Sequence, residues 1–251
     1  TCLRDFKMKN IELFRSRDQE FRLLEKYIVQ KAKNGCPLQI LEAGCGRQWP
    51  LNLSGIHYTL IGIDLDKNAL DLRKSKFNDL DEIIIGDLRS VELEENKYDV
   101  IYNSFVLEHI DNAQSVLDNF YKWLKPGGIL ILRIPDRNSV YGFITRITPY
   151  WFHVYYKKYI RGFYNAGEPG FGPYPTFCDF IVSRAGIHEF CKNNGLIIKE
   201  EYGQDNYLNG RGFIPVLTKL FAQSLSLLSL GNLAWEYNNL TFVLEKESLI
   251  G

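Results

Sequence analysis

The chain has little of what marks several protein classes. Its five cysteines (Cys2, Cys36, Cys45, Cys178 and Cys191) are odd in number and form no C-x-x-C pair. That speaks against a disulfide framework or a structural zinc site and suits a reducing compartment, so a cytoplasmic location is expected. Neither sign of charge is in excess, with 30 Lys and Arg against 30 Asp and Glu. Bulk electrostatics therefore give no pull towards nucleic acid or an anionic membrane as the main partner. There is no apolar run of the roughly eighteen residues a membrane span needs, and no signal-peptide pattern. Internal repeats and low-complexity stretches are absent as well. Histidine is scarce, at four residues, which leaves a short list of candidates for proton transfer near neutrality. The chain begins at Thr1 rather than Met, which suits a processed chain or a domain of a longer protein.

What is present is an α/β pattern. Leu38 to Leu41 forms a continuous apolar run that enters Gly44-Cys45-Gly46, as expected of a buried parallel strand followed by a turn where the backbone approaches a ligand. Further strands are expected at Tyr58 to Asp64, Glu82 to Ile85, Tyr98 to Ser104, Ile129 to Ile134, Leu196 to Glu200 and Leu240 to Glu245. Helices are expected over Ser16 to Lys33 (a capping box at Ser16 and Gln19, a stop at Asn34-Gly35), Lys67 to Lys76, Ile110 to Leu124, and from Ser183 to Asn194. Lys125-Pro126-Gly127-Gly128 is expected to end the third of these. The fold class is a doubly wound, seven-stranded, mainly parallel sheet: one domain with core segments 36–136 and 183–247, and insertions at 137–180 and 205–236. The first insertion is dense in aromatics interleaved with Arg146, Lys157, Lys158 and Arg161, and is expected to form a lid. The second carries a strongly apolar helix, Ile214 to Leu230.

Asp64 lies twenty residues after Gly44, the spacing at which a carboxylate ending the second strand accepts from a ribose diol. It is also a candidate N-cap for the following helix, as is Asp66. A metal-binding reading of Asp64-Leu65-Asp66 lacks a supporting His or Glu, so no metal is expected. A dinucleotide fingerprint wants a small residue at the end of G-x-G-x-x-G/A, and Trp49 stands there instead.

Leu41-Glu42-Ala43-Gly44-Cys45-Gly46, Gly62-Ile63-Asp64, Gly86-Asp87-Leu88, Tyr98-Asp99-Val100-Ile101 with Val106-Leu107-Glu108-His109, and Leu124-Lys125-Pro126-Gly127-Gly128 resemble, in order, the motifs of class I S-adenosylmethionine-dependent methyltransferases. The resemblance covers roughly residues 38 to 136 and implies S-adenosyl-L-methionine as cofactor. It also implies a reversed last strand. By that resemblance the backbone of Gly44, Cys45 and Gly46 approaches the amino acid end of the cofactor, with Glu42 near its ammonium. Asp64, followed by Leu65, holds the ribose, Asp87 takes the adenine amino group with Leu88 against the ring, and Asn103 and Ser104 end their strand near the sulfonium.

A hydroxyl acceptor needs a base. His109, following the fourth strand, and His153, in the lid, are the candidates, with Glu108 to orient either. His57 is expected to be structural and His188 solvated. An aromatic pocket with a basic rim suits an amphipathic small molecule, free or bound to a carrier protein. O-methylation of a hydroxyl on an amphipathic small molecule, such as a polyketide intermediate of an assembly line, is the expected activity. C- or N-methylation of a lipid or glycan precursor, and a cofactor-binding module without catalysis, are the alternatives. The N-P-P-Y/F motif of amino-methylating enzymes is absent at Asn103-Ser104-Phe105-Val106. The 214–230 helix is expected to meet a partner or a membrane surface.

Overall fold

A computed structural model describes residues 11–32, 36–46, 48–160, 162–168, 171–177, 179–205 and 213–248. The expected helix stop at Asn34-Gly35, Arg161 of the lid, Cys2 and Cys178 lie outside the described residues. The sheet has eight strands: β1 (Glu12–Leu13), β2 (Leu38–Ala43), β3 (Tyr58–Asp64), β4 (Glu82–Ile85), β5 (Tyr98–Ser104), β6 (Leu124–Pro135), β7 (Leu196–Gln204) and β8 (Asn239–Lys246). Their order is β1-β7-β8-β6-β5-β2-β3-β4. Every pairing is parallel except the two made by β8. Seven strands match the expected set, and the two-residue β1 adds an edge that is too short to leave a period-2 pattern in sequence.

Helices α1 (Arg17–Val29), α2 (Lys67–Lys76), α3 (Ala113–Trp123) and α6 (Arg184–Asn194) belong to the core, while α4 (Val140–Ile147), α5 (Tyr150–Tyr155) and α7 (Phe213–Leu228) occupy the insertions. Side chains of successive strand residues leave the sheet on opposite faces. Ile40, Val100, Ile129 and Ile131 accordingly pack with Leu24 and Ile28 of α1. Leu41, Ile101, Leu130 and Leu132 pack on the other face with Val116, Leu117 and Phe120 of α3 and with Ile187 and Phe190 of α6. Cover on both faces explains why these strands read as unbroken apolar runs.

Local chemistry sets the helix ends, with three corrections to the sequence reading. The Ser16 side chain accepts from the Gln19 N–H, but the Gln19 side chain accepts from Arg15 rather than closing the box on Ser16, and the helix ends at Val29. Asp66, not Asp64, caps α2. Lys125 to Gly128 does not separate helix from strand, because β6 starts at Leu124, directly after α3. Gly127, at φ +74°, turns the chain inside that strand's opening. No helix forms between β4 and β5.

β7 and β6 are both antiparallel to β8, and their last residues, Gln204 and Pro135, both face Asn239. The two insertions therefore leave the sheet at one edge, the carboxyl edge of the parallel strands. Asp136, Ser139 and Asn238 tie them down: the Ser139 hydroxyl donates to the Asp136 carbonyl, and the Asp136 N–H donates to that of Asn238.

Candidate active site

β2 ends at Ala43 and enters the glycine turn, which is pinned to β3 by the N–H groups of Gly44 and Cys45, both donating to Ile63 O at 2.8 and 3.2 Å. The two glycines differ in role. Gly44 has φ +73°, and a Cβ there would sit 2.3 Å from a Val106 methyl, so backbone conformation and packing both demand glycine. Gly46 has φ +53° with nothing within 4 Å of the Cβ position. Its open side belongs to the cleft. Asp64 accepts from the Gly46 N–H at 3.0 Å through Oδ2 and from the Asp66 N–H at 2.9 Å through Oδ1. Each oxygen accepts one backbone bond and keeps capacity for a second, as a ribose diol requires.

Glu42 is buried (4% exposed), beside the fully buried Arg73. Arg73 donates to the Cys45 carbonyl at 2.7 Å and to both Asp79 oxygens at 2.8 and 3.1 Å. Its Nη1 also comes within 2.8 Å of Glu42 Oε2, but no aligned hydrogen bond reaches that oxygen. Burial pushes the Glu42 carboxyl up to about 8, against the pull of Arg73. Asp79 is held below the usual carboxylate range, because the hydrogen bonds and charge of Arg73 outweigh its partial burial. A buried acceptor without an aligned donor, beside a glycine turn with open space, fits the ammonium end of S-adenosylmethionine.

The cleft has a volume of about 430 Å³ and is lined by Glu42, Gly44 to Gly46, Gln48, Pro50 and a second group from across the sheet edge: Arg17, Tyr102, Ser104, Phe105, Arg133 and Gln204. That second group is organised by Glu20, which is fully buried on α1. Arg133 Nε and Nη2 donate to the two Glu20 oxygens at 2.6 and 2.9 Å, and Thr241 and Gln204 donate to the same carboxylate at 2.6 and 3.0 Å. Arg133 Nη1 reaches Ser104 Oγ at 3.0 Å, and its guanidinium lies 4.9 Å from the Phe105 ring centre. Phe105 itself has φ +56°, a conformation a bulky side chain rarely adopts and one found at sites where the surroundings enforce it. None of Glu20, Tyr102, Phe105, Arg133 or Gln204 is evident in sequence. The only local hint was Arg133 within an apolar strand, a charge that must find a partner when buried. Arg17, the first residue of α1, lines the cleft. A second depression of about 450 Å³, between α3 and α6 near Gln114 and Asp179, holds none of these groups.

Other expected residues fall along the same edge. Asn103 is fully buried and donates to the Ala43 carbonyl at 2.9 Å, while its Oδ1 has no hydrogen-bond partner. Asp87 is engaged by Arg89, whose side chain donates to both carboxylate oxygens at 2.6 to 3.1 Å and holds the carboxyl below its ordinary range. An adenine amino group would compete with that exposed arginine. The Leu88 side chain is buried in the core beneath the edge, whereas Leu65, after Asp64, is exposed.

The histidines separate by their partners. Residues 107–109 form a single 3₁₀ turn after β5. His109 Nδ1 lies 2.8 Å from the Pro175 carbonyl, so that nitrogen carries the proton and Nε2 presents a lone pair. The ring meets Tyr174 edge to face at 5.6 Å. Burial lowers the His109 pKa, Lys157 of the first insertion adds to this, and the Pro175 carbonyl opposes it. The insertion therefore covers His109. Glu108 is 7% exposed, its Oε2 has no partner, and burial raises its carboxyl to about 8. It lies 3.7 Å from His109 Nε2. His153 Nε2 is taken up locally, by the Thr148 hydroxyl at 3.0 Å and carbonyl at 3.2 Å. Neither His109 nor His153 is among the residues that line the cleft. His57 precedes β3 on the surface. His188 is not simply solvated: it pairs with Glu201 at 2.9 Å. No group of three His, Cys, Asp or Glu side chains among the described residues is arranged to hold a metal ion.

The chain is similar to known proteins on both sequence and structure. Residues 41–132 match the family described as "Methyltransferase domain". A demethylmenaquinone methyltransferase of Oceanobacillus iheyensis is 30% identical over 111 residues, covering 41% of this chain and 47% of that one. The chain thus spans about half the length of that relative. A ubiquinone biosynthesis O-methyltransferase of Rickettsia typhi is 26% identical over 205 residues, covering 75% and 76%. The crystal structure of a SAM-dependent methyltransferase from Archaeoglobus fulgidus shares the fold, with a TM-score of 0.50 at 16% identity over 92% of this chain and 95% of that one. Residues 41–132, which carry the ordered motifs, are thus similar to a methyltransferase domain, and the chain shares the Rossmann-like methyltransferase fold; both likenesses support a class I S-adenosylmethionine-dependent methyltransferase with S-adenosyl-L-methionine as cofactor.

Proposed function

We propose that the chain methylates a hydroxyl group on an amphipathic small molecule, with His109 as the base. One observation carries this reading. His109 is fixed by the Pro175 carbonyl with its second nitrogen free, and it sits beside β5's end under an aromatic cover. The cofactor supplies a methyl group made electrophilic by its sulfonium. The protein's part is to hold the acceptor in line, exclude water and take the hydroxyl proton on His109 Nε2. A lowered pKa keeps the imidazole neutral, and so able to accept, at pH 7. Glu108, kept protonated by burial, adds no negative charge that would raise it. The ubiquinone O-methyltransferase among the relatives favours oxygen as the acceptor atom. A polyketide intermediate, carrier-bound or free, is one amphipathic acceptor that the aromatic cover would suit. Carbon or nitrogen methylation of a lipid or glycan precursor is the competing activity.

Two measurements test this. Calorimetry with S-adenosylmethionine should show binding, and Asp64→Ala should weaken it at least about a hundredfold, since a charge-assisted pair of hydrogen bonds to the ribose is lost with the support of the turn. An unchanged affinity would remove Asp64 from the site. Incubating acceptor pools with labelled cofactor, followed by mass spectrometry, identifies the product; heat without product would indicate a binding module. On the acceptor so found, His109→Ala should lower kcat by about a hundredfold or more. His153→Ala should keep turnover within about threefold, because its ring serves only the local Thr148 contact. The acidic limb of the rate profile should lie below the usual histidine range. If both variants turn over normally, no histidine takes the proton.

A further inference from the structure

The chain is neutral overall, but its charge is not evenly placed. From Arg137 to Gly167 and from Asn206 to Trp235 there are seven basic residues and not one acidic residue. They make up most of the two insertions, whose margins carry Glu168, Asp179, Asp205 and Glu236, and both insertions emerge at the same edge of the sheet. They are also joined to each other. The Val140 N–H donates to Ala234 O at 2.8 Å, the Ala234 N–H donates to Asn138 O at 3.0 Å, and α4 packs on α7.

This joined region exposes its apolar side chains. Leu217, Phe221 and Leu228, at four- and seven-residue spacing, mark an outward stripe on α7, while Ala222 on the opposite side is buried. Trp151 is 67% exposed and Leu228 80%. No helix among the described residues is long and apolar enough to cross a membrane. Arg146 and Lys219 are exposed and lie 5.9 and 5.5 Å from the ring centres of Phe143 and Trp235, so cations and aromatics share the surface. We propose that the α4–α5–α7 face docks on the surface of an anionic lipid bilayer, its apolar side chains among the acyl-chain boundary and its cations among the headgroups.

Charge selects this occupant. Helices α4, α5 and α7 carry Arg146 and Lys219 and no acidic residue, so a second copy meeting these helices with its own would set cation against cation, and burial without pairing is costly. Trp, Tyr and Lys or Arg around an outward aliphatic stripe are the composition of a helix lying in a membrane interface. The inference uses no residue of the cofactor cleft, so it stands or falls apart from the acceptor reading.

The test is flotation of the full chain with vesicles of phosphatidylcholine alone and of phosphatidylcholine mixed with phosphatidylglycerol. Binding is expected to the mixed vesicles, weaker by about tenfold or more on phosphatidylcholine, and reduced by added salt. Leu228→Ser and the double change Arg146→Glu with Lys219→Glu should each lower binding to mixed vesicles by about tenfold or more while leaving far-ultraviolet circular dichroism and the thermal midpoint unchanged, since all three side chains are exposed. Absence of binding to either vesicle overturns the proposal. So does binding that ignores both variants, or a concentration-dependent dimer in light scattering that Leu228→Ser abolishes.

Discussion

Arg133→Met is expected to destabilise the protein by about 3–5 kcal/mol, the cost of leaving one member of a buried ion pair without the other. Glu20 is fully buried and takes two of its four hydrogen bonds from Arg133, the rest from Thr241 and Gln204. Removing the guanidinium strands that carboxylate and frees Ser104 and Phe105 at the rim of the cleft. The physical cause is desolvated charge rather than lost contact, and a double change separates the two. In Glu20→Leu with Arg133→Met no charge is left behind, and most of the stability should return. Urea unfolding of the wild type, both single variants and the double variant measures this directly. Additive losses in the double variant would mean that the side chains contribute by packing alone. Calorimetry with S-adenosylmethionine on the double variant adds a second readout: stability should recover while affinity does not, because Ser104 and Phe105 remain unsupported.

The second large effect is in the pH dependence of stability. Glu108 has no hydrogen-bonded partner on Oε2, and burial alone raises its carboxyl to about 8. A carboxyl in the unfolded chain titrates near its ordinary value of about 4.3. Between those values the folded state holds a proton that the unfolded state has released, so stability falls as pH rises across the window and levels off above about 8. Glu108→Gln removes that proton linkage. The variant should match the wild type near pH 5 and exceed it by roughly 3–5 kcal/mol at pH 9. Glu42 is raised for a similar reason and contributes its own slope to both proteins, so the difference between the two curves isolates Glu108. Parallel curves from pH 5 to 9 would show that Glu108 is ionised in the folded protein. Glu108 would then be a negative neighbour of His109, and the imidazole would be more basic than proposed.

Sequence by itself determined the parts of this protein whose causes are local. The strands β2, β3, β5 and β6 are legible because a strand covered on both faces must be apolar at successive positions. The turn at Gly44 is legible because only glycine meets the positive φ and the close approach of Val106. The order of the motifs, with Asp64 at its fixed distance from that turn, pointed to the cofactor. What tertiary structure decided was everything that depends on partners distant in the chain. Glu20 and Arg133 lie far apart in sequence and meet because α1 packs on the face of the sheet, so neither helix periodicity nor strand pattern marks them. Phe105, at φ +56°, gives its N–H to the Arg133 carbonyl at 2.8 Å and its ring to the Arg133 guanidinium, partners on another strand. His109 and His153 were both candidates as residues in a string; they differ because Pro175 fixes one ring, whereas the other is turned to Thr148. The two insertions form one basic, apolar face because β6 and β7 end together against Asn239, a register that no local run of residues encodes.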